Sequence, residues 1–169
     1  MTSVRERVSR LRRAYAPGEA RPLGGYLVSL GAYAGMVGGM AAAAVLTGRR
    51  LPERPAATDI ILISIGTHKV SRLVAKDAVT SPLRAPFTQY DHPIGEAELA
   101  EQVRGDGVRH AVGEMVSCPF CLAVWVATLF SGGLVLAPRL TRLVASGATA
   151  VAVSDFLQLV YTRGKKAAS

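Results

Sequence analysis

Two groups of residues in this chain have the types and spacing that chemistry requires. The first is Cys118 and Cys121, separated by Pro119 and Phe120 at the head of a long apolar run. A helix N-terminus favours a thiolate, and two cysteines three positions apart can close a disulfide, so the pair is a redox candidate. The same thiols are candidate zinc ligands, with His110, His92 or His68 completing a tetrahedral site, although a single C-x2-C does not identify a metal centre. Plain packing at the start of a span is the third reading of the same residues.

The second group is Thr67, His68, Lys69 and Arg72, placed within an apolar segment, together with Asp155, the one acid of another. Lipid cannot solvate such side chains, so they must face the protein interior, water or the headgroups, and their partners are expected within the chain. Asp155, Gln158 and Thr162 share one face of the last helix, and a contact from Asp155 to Lys69 or His68 is predicted. A site for a proton, ion or solute is the functional reading; snorkelling with one structural ion pair is the plainer one. Glu114 lies four residues after His110 and reads as a solvated pair. No nucleophile–base order, phosphate loop or nucleotide fingerprint is present.

The elements that must position these groups read as membrane helices. Of the 169 residues half are apolar, and seventeen are glycine; mean hydropathy is +0.28. These values fit a helical bundle in lipid, where small residues let helices approach closely. The formal charge of +8 is carried by bases that flank apolar segments, which argues against nucleic acid as a partner. Two cysteines are too few for a disulfide-stapled secreted scaffold.

Residues 22–48 hold an uncharged run long enough, at about 1.5 Å per residue, to cross a ~30 Å hydrocarbon core. The run exceeds the 7–15 residues usual for the apolar part of a signal peptide. Residues 56–75 form a poorer second span: a central Lys, Arg or Asp costs about 2.5–3.5 kcal/mol, and each Ile or Leu returns only about 0.3–0.6. Residues 118–137 and 140–161 give two further spans, separated by Pro138 and Arg139 in a tight hairpin.

With both ends inside, Arg5, Arg7, Arg10, Arg12, Arg13, Arg21, Lys76, Arg84, Arg104, Arg109, Arg163, Lys165 and Lys166 lie on the cytoplasmic side. Only Arg49, Arg50, Arg54, Arg139 and Arg142 then lie outside, as the positive-inside rule requires. Residues 1–21 form a basic N-terminal segment in which Val4, Val8, Leu11 and Tyr15 make an apolar face from Ser3 onward, suited to an interfacial helix on an anionic leaflet. Gly31, Gly35 and Gly39 recur every four residues and predict close helix packing, within the chain rather than between copies.

Residues 76–117 form a cytoplasmic loop. Pro82, Pro86 and Pro93 exclude regular helix from its first part, and two short helices are expected after Gly95. One is the charged stretch Glu96 to Val103; the other carries Val108, Ala111, Val112 and Met115 on one face.

The tetrapeptide Cys118-Pro119-Phe120-Cys121 resembles a glutaredoxin active site, but the likeness ends there, since no βαβ pattern surrounds it. A wider resemblance rests on GTHKVSRLVAKD at 66–77, VTSPLRAPF at 79–87, SCPFCLAVW at 117–125 and VSDFLQ at 153–158. These strings resemble an uncharacterised bacterial family of small integral-membrane proteins, catalogued as a domain of unknown function, over roughly Asp59 to Tyr161. The resemblance implies a membrane location and one assembly containing these strings; it supplies no activity.

The sequence therefore predicts an all-α, four-span bundle in a bacterial plasma membrane, with both termini cytoplasmic. The expected role is a non-catalytic scaffold, assembly or regulatory subunit without a cofactor, zinc being the one alternative. Its expected partners are the lipid bilayer, a membrane or cytoplasmic protein, or a second copy. A thiol-redox or metal protein built on Cys118 and Cys121 is the competing class, and a transport component built on His68, Lys69 and Asp155 is the third.

Overall fold

The computed structural model describes residues 4–19 and 21–168. Helix α1 (Val4–Tyr15) is followed by α2 (Leu23–Leu46) and α3 (Ala57–Lys76). A 3-10 turn at Ala78–Thr80 and α4 (Ser81–Arg84) lead into strands β1 (Thr88–Gly95) and β2 (Glu98–Val103), then α5 (Gly107–Ser117), α6 (Pro119–Leu136) and α7 (Pro138–Ala167). Pro119 and Pro138 each open a helix at its first turn, where the missing N–H has no intrahelical acceptor to lose. Ser3 and the side chains of Val4, Arg5, Val8 and Arg12 lie outside the described residues; Leu11 and Tyr15 of α1 are exposed.

Three helices, α2, α6 and α7, are long and apolar enough to cross a membrane. The more polar α3 is not among them, yet it is the hub of the bundle, packed along both α6 and α7. Its buried face is made of Gly66, Thr67, Ser71 and Ala75, with Asp59 at its start. The buried apolar residues of the chain are correspondingly small: Ala75, Ala111, Ala145 and Ala152, with Leu122 and Phe130. A Cβ added at Gly66 would lie 3.4 Å from the Phe130 ring and 3.5 Å from the Ala145 carbonyl oxygen, so α3 meets both neighbours at one level. Small side chains permit this approach, and dispersion between close backbones stabilises it.

Cross-helix contacts give the directions. Asp59 meets Arg142, Thr149 donates to the Leu62 carbonyl, and Lys69 meets Asp155, so α3 and α7 run parallel. Tyr33 bonds Thr128 and Met40 abuts Gly132, so α2 and α6 run parallel as well.

The stretch from Glu96 to Val103 is not helical. It supplies the tip and second strand of an antiparallel hairpin in which Thr88 faces Val103 and Gly95 faces Glu98. An isolated eight-residue helix is marginal, whereas pairing with β1 satisfies the backbone and carries Glu98 and Glu101 to arginine partners. Ala97, at φ 64°, makes the tip. The hairpin turns back on the bundle, with the Ala78 amide donating to the Ala97 carbonyl at 2.8 Å.

The glycine row does not pack inside the chain. A Cβ at Gly31, Gly35 or Gly39 would meet nothing within 4 Å, and α2 turns Tyr33 and Met40 inward instead. Its close-approach glycine is Gly25, where a Cβ would lie 2.5 Å from the Gly107 carbonyl oxygen and 2.7 Å from the Ala111 Cβ. We therefore expect Gly25→Ala to lower stability by about 1–3 kcal/mol through overpacking. Gly31→Ala should leave it unchanged or raise it by up to ~1 kcal/mol through helix propensity. Thermal midpoints of the purified protein in detergent distinguish the two; equal effects would refute the assigned seam.

Candidate functional site

Where α3 meets the hairpin, the charged residues of the second span come together with acids from two other elements, α7 and β2. Lys69 Nζ lies 2.8 Å from Asp155 Oδ2, and the lysine side chain is only 16% exposed. Its long stem crosses from α3 to α7 because the parallel helices hold positions 69 and 155 at one level. Three residues on, Arg72 donates Nε and Nη2 to the two carboxylate oxygens of Glu98, both at 2.7 Å. His68, on the same turn, faces outward and is not brought onto Asp155. The Thr67 hydroxyl is buried without a hydrogen-bond partner among the described residues.

Asp77 ends α3 beside these groups. Burial pushes its carboxyl above the usual range; Lys69 opposes the rise, Glu98 and Asp155 add to it, and Arg84 opposes it further. Its main chain is committed to structure, with its carbonyl accepting from Thr80 and Arg84.

Arg84 is the anchor beneath the hairpin. Its side chain is fully buried, and it donates Nε at 2.8 Å and Nη2 at 2.9 Å to Glu101. The remaining donors reach the carbonyl oxygens of Val74 and Asp77 and the Thr80 hydroxyl. Thr88 completes the network by donating to Glu101 at 2.8 Å. A buried guanidinium with this many acceptors is a structural group: each polar contact removes a donor that chemistry would otherwise use.

Cys118 and Cys121 are free thiols at the first turn of α6. The Cys121 amide donates to Cys118 Sγ at 3.3 Å, so Cys118 caps the helix with its own sulfur.

The zinc donor set expected from Cys118, Cys121 and His110 does not assemble. Among the described residues, no three His, Cys, Asp or Glu side chains converge as metal ligands. His110 Nδ1 instead lies 3.1 Å from the Gly105 carbonyl oxygen and Nε2 lies 3.5 Å from Glu114. Glu114 is not merely solvated: it accepts from Tyr26 Oη at 2.6 Å and from Arg21 Nη1 at 3.3 Å, joining the start of α2 to α5.

Sequence reasoning gave no partner to Arg84, Glu98 or Glu101 and paired Glu114 with His110 alone. Each is an ordinary charged residue in a charged loop, and only its non-local partner distinguishes it. The opposite end of α3 carries one further pair, Asp59 with Arg142, bonded Nε to Oδ1 and Nη2 to Oδ2 at 2.8 Å each.

The buried pair predicts a pH dependence. Burial opposes the ionised form of Glu101, but hydrogen bonds from Arg84 and Thr88 outweigh it and hold its carboxyl below the usual range. A carboxylate depressed in the folded state contributes fully above the unfolded value of about 4.3 and loses that contribution as pH falls through the folded value. Thermal midpoints in detergent should therefore fall on acidification below about pH 4.3, and Glu101→Gln should flatten that part of the profile. Arg84→Ala should cost about 3–5 kcal/mol by leaving Glu101 buried and uncompensated; a loss under ~1 kcal/mol would match an exposed pair and contradict the assigned burial.

Known proteins place these residues in one lineage. Residues 62–161, spanning the polar part of α3, the hairpin, both cysteines and Asp155, match the model of a family described as a protein of unknown function (DUF1360). Sporulation protein YjcA of Bacillus subtilis is 34% identical over 71 residues, which cover 40% of this chain and 60% of that relative. No solved structure matches the chain. The matched segment begins within α3 and ends within α7, so it contains the Lys69–Asp155, Arg72–Glu98 and Arg84–Glu101 pairs. The chain belongs to the DUF1360 family.

Proposed function

We propose that this is a non-catalytic scaffold or assembly subunit of a bacterial plasma membrane, which presents its hairpin to a protein partner on the cytoplasmic side. The observation that carries this reading is the closure of the polar network. Lys69, Arg72 and Arg84 each engage a carboxylate at 2.7–2.8 Å, and these contacts fasten α3 to α7 and β2, and α4 to β2, rather than lining a path. A transport site needs groups free to change partners, and these are engaged.

The outer strand supports the presentation. Apart from Thr88, every residue of β1 is exposed, Tyr90 and Ile94 included, whereas β2 lies against the bundle. An exposed edge strand is a ready template for an extended segment of a partner. The curated relative is named for sporulation, and we extend that process to this chain as part of the proposal.

The membrane arrangement belongs to the same reading. We infer four spans, residues 22–48, 56–75, 118–137 and 140–161, with α3 crossing beside α6 and α7 and with both termini in the cytoplasm. The support is geometric: α3 keeps company with α7 from Asp59 to Lys69, and its charges meet partners in the chain rather than lipid. The polar helix then needs its neighbours in order to insert, since alone it barely clears the cost of its charges.

Two experiments test this. In a Cys118→Ser/Cys121→Ser background, Arg54→Cys should label in intact cells, while the native pair in the parent should label only in opened cells. Labelling of both from one side would show that α3 does not cross. A stoichiometric partner should copurify in mild detergent, disappear with Tyr90→Lys/Ile94→Asp, and persist with Gly31→Ala. Absence of such a partner, or its indifference to β1, would overturn the scaffold reading.

One observation favours a second reading, a thiol protein: two free thiols share the first turn of α6, with the Cys121 amide donating to Cys118 Sγ. Closing that disulfide would release two protons and two electrons to an acceptor disulfide. Alkylation trapping should show a single reduced form in growing cells. A mixture of reduced and oxidised forms that shifts with the growth condition would displace the scaffold reading.

A further inference from the structure

Four of the five bases expected on the outer side lie together. At the end of the bundle opposite the hairpin, the loop between α2 and α3 and the corner between α6 and α7 border an open cavity of about 500 Å³. Arg49, Arg50, Arg54 and Arg142 line it, and Asp59 is the one acid that does. Asp59 is already committed to Arg142 through both carboxylate oxygens. That pair fixes the Arg142 guanidinium and leaves its Nη1 group without a hydrogen bond among the described residues.

Arg49, Arg50 and Arg54 have no ion-pair partner among the described residues. Glu53, the acid of the same loop, is not among the lining residues. The cavity therefore holds four guanidiniums against one carboxylate, a concentration of like charge that an anion would relieve.

Two helix N-termini add to the same field. Helices α3 and α7 begin at this cavity, which Ala56 and Pro138 help to line. Neither helix has a side-chain cap: the N-cap positions are Ala56 and Ala137. The first-turn N–H groups and the positive end of each helix dipole remain available to an acceptor. Arginine forks match the paired oxygens of a phosphate, and helix N-termini favour the same ligand.

From these observations we propose that the cavity binds a phosphate-bearing anion, held by Arg49, Arg50 and Arg54 with Arg142 positioned by Asp59. The volume exceeds that of phosphate alone and suits a phosphate with a small substituent. Leu134 and Val135 of α6 give the cavity an apolar wall, along which a ligand's hydrocarbon could leave. The chemistry is shared by a phospholipid headgroup and by a free phosphorylated solute, and it does not depend on which membrane face this end occupies.

The test uses the full chain in a zwitterionic detergent. Its probes are inorganic phosphate, glycerol phosphate, short-chain phosphatidylglycerol and short-chain phosphatidylcholine, with sulfonate buffer as an anion control. Saturable binding by calorimetry is expected for at least one of the first three, and Arg50→Gln/Arg54→Gln should weaken it about tenfold or more. Arg50→Lys, which keeps the charge and the fold but loses the fork, should also weaken it; Arg139→Gln, outside the cavity, should not. Binding of phosphatidylglycerol alone assigns the lipid source, and binding of glycerol phosphate with equal affinity assigns the free solute. No saturable binding of any phosphate probe, equal binding of sulfonate, or affinity unchanged in the double variant would each overturn the proposal.

Discussion

A helix carrying Asp59, Lys69 and Arg72 can be surrounded by apolar helices only if the chain itself supplies the counter-charges. That constraint shapes everything around α3. Asp59 is answered by Arg142 and Lys69 by Asp155, both from α7; Arg72 is answered by Glu98 from the hairpin. The first two contacts fix the parallel direction of α3 and α7 and their axial register, since a shift by one turn would separate both pairs at once. Pairs of this kind add little net stability, because desolvation offsets most of the attraction, but they strongly disfavour arrangements that leave one partner unmet. Their effect here is specificity: the small-residue faces of Gly66, Ser71, Ala145 and Ala152 would slide past one another more freely without them.

The two ends of the bundle solve the charge problem differently. At the hairpin end acids and bases match nearly one to one, down to a fully buried arginine whose donors find a carboxylate, a hydroxyl and two carbonyl oxygens. At the other end guanidiniums exceed carboxylates around an open volume. Closure of the first favours rigidity and presentation; surplus at the second favours a ligand. The family match covers the closed end and the start of α7 but leaves the loop of Arg49, Arg50 and Arg54 outside it.

What could be read in advance follows from the range of the forces involved. Hydropathy is local, so the cores of α2, α6 and α7 are visible as uncharged runs, and Asp155 is conspicuous as a lone acid within one. The requirement that it meet Lys69 or His68 follows from solvation alone; the choice of Lys69 depends on which way α3 is rotated, and that is set by Gly66 against Phe130 and Ala145. The hairpin was hidden because Glu96 to Val103 is rich in helix formers, and its strand character comes from pairing with β1, a non-local event. Pro93 correctly forbids helix in β1 but is tolerated in a two-stranded sheet, where each strand has a free edge. The glycine row misled for a related reason: spacing shows that Gly31, Gly35 and Gly39 share a face, not what that face meets, and the contact falls to Gly25 because α5 crosses there.

Rigidity at the hairpin end bears directly on the proposed role. A partner that adds a strand to β1 must order its own segment, a cost that reduces affinity. If the template were also disordered, that cost would be borne twice. Here β2 is tied to α3 through Arg72, to α4 through Arg84 and to the main chain through the Asp77–Glu98 bridge, so the template is ordered before any partner arrives. The buried Arg84 network is therefore best understood through the edge it holds in place: a polar cluster that adds little to stability is retained where it keeps an exposed strand in one position.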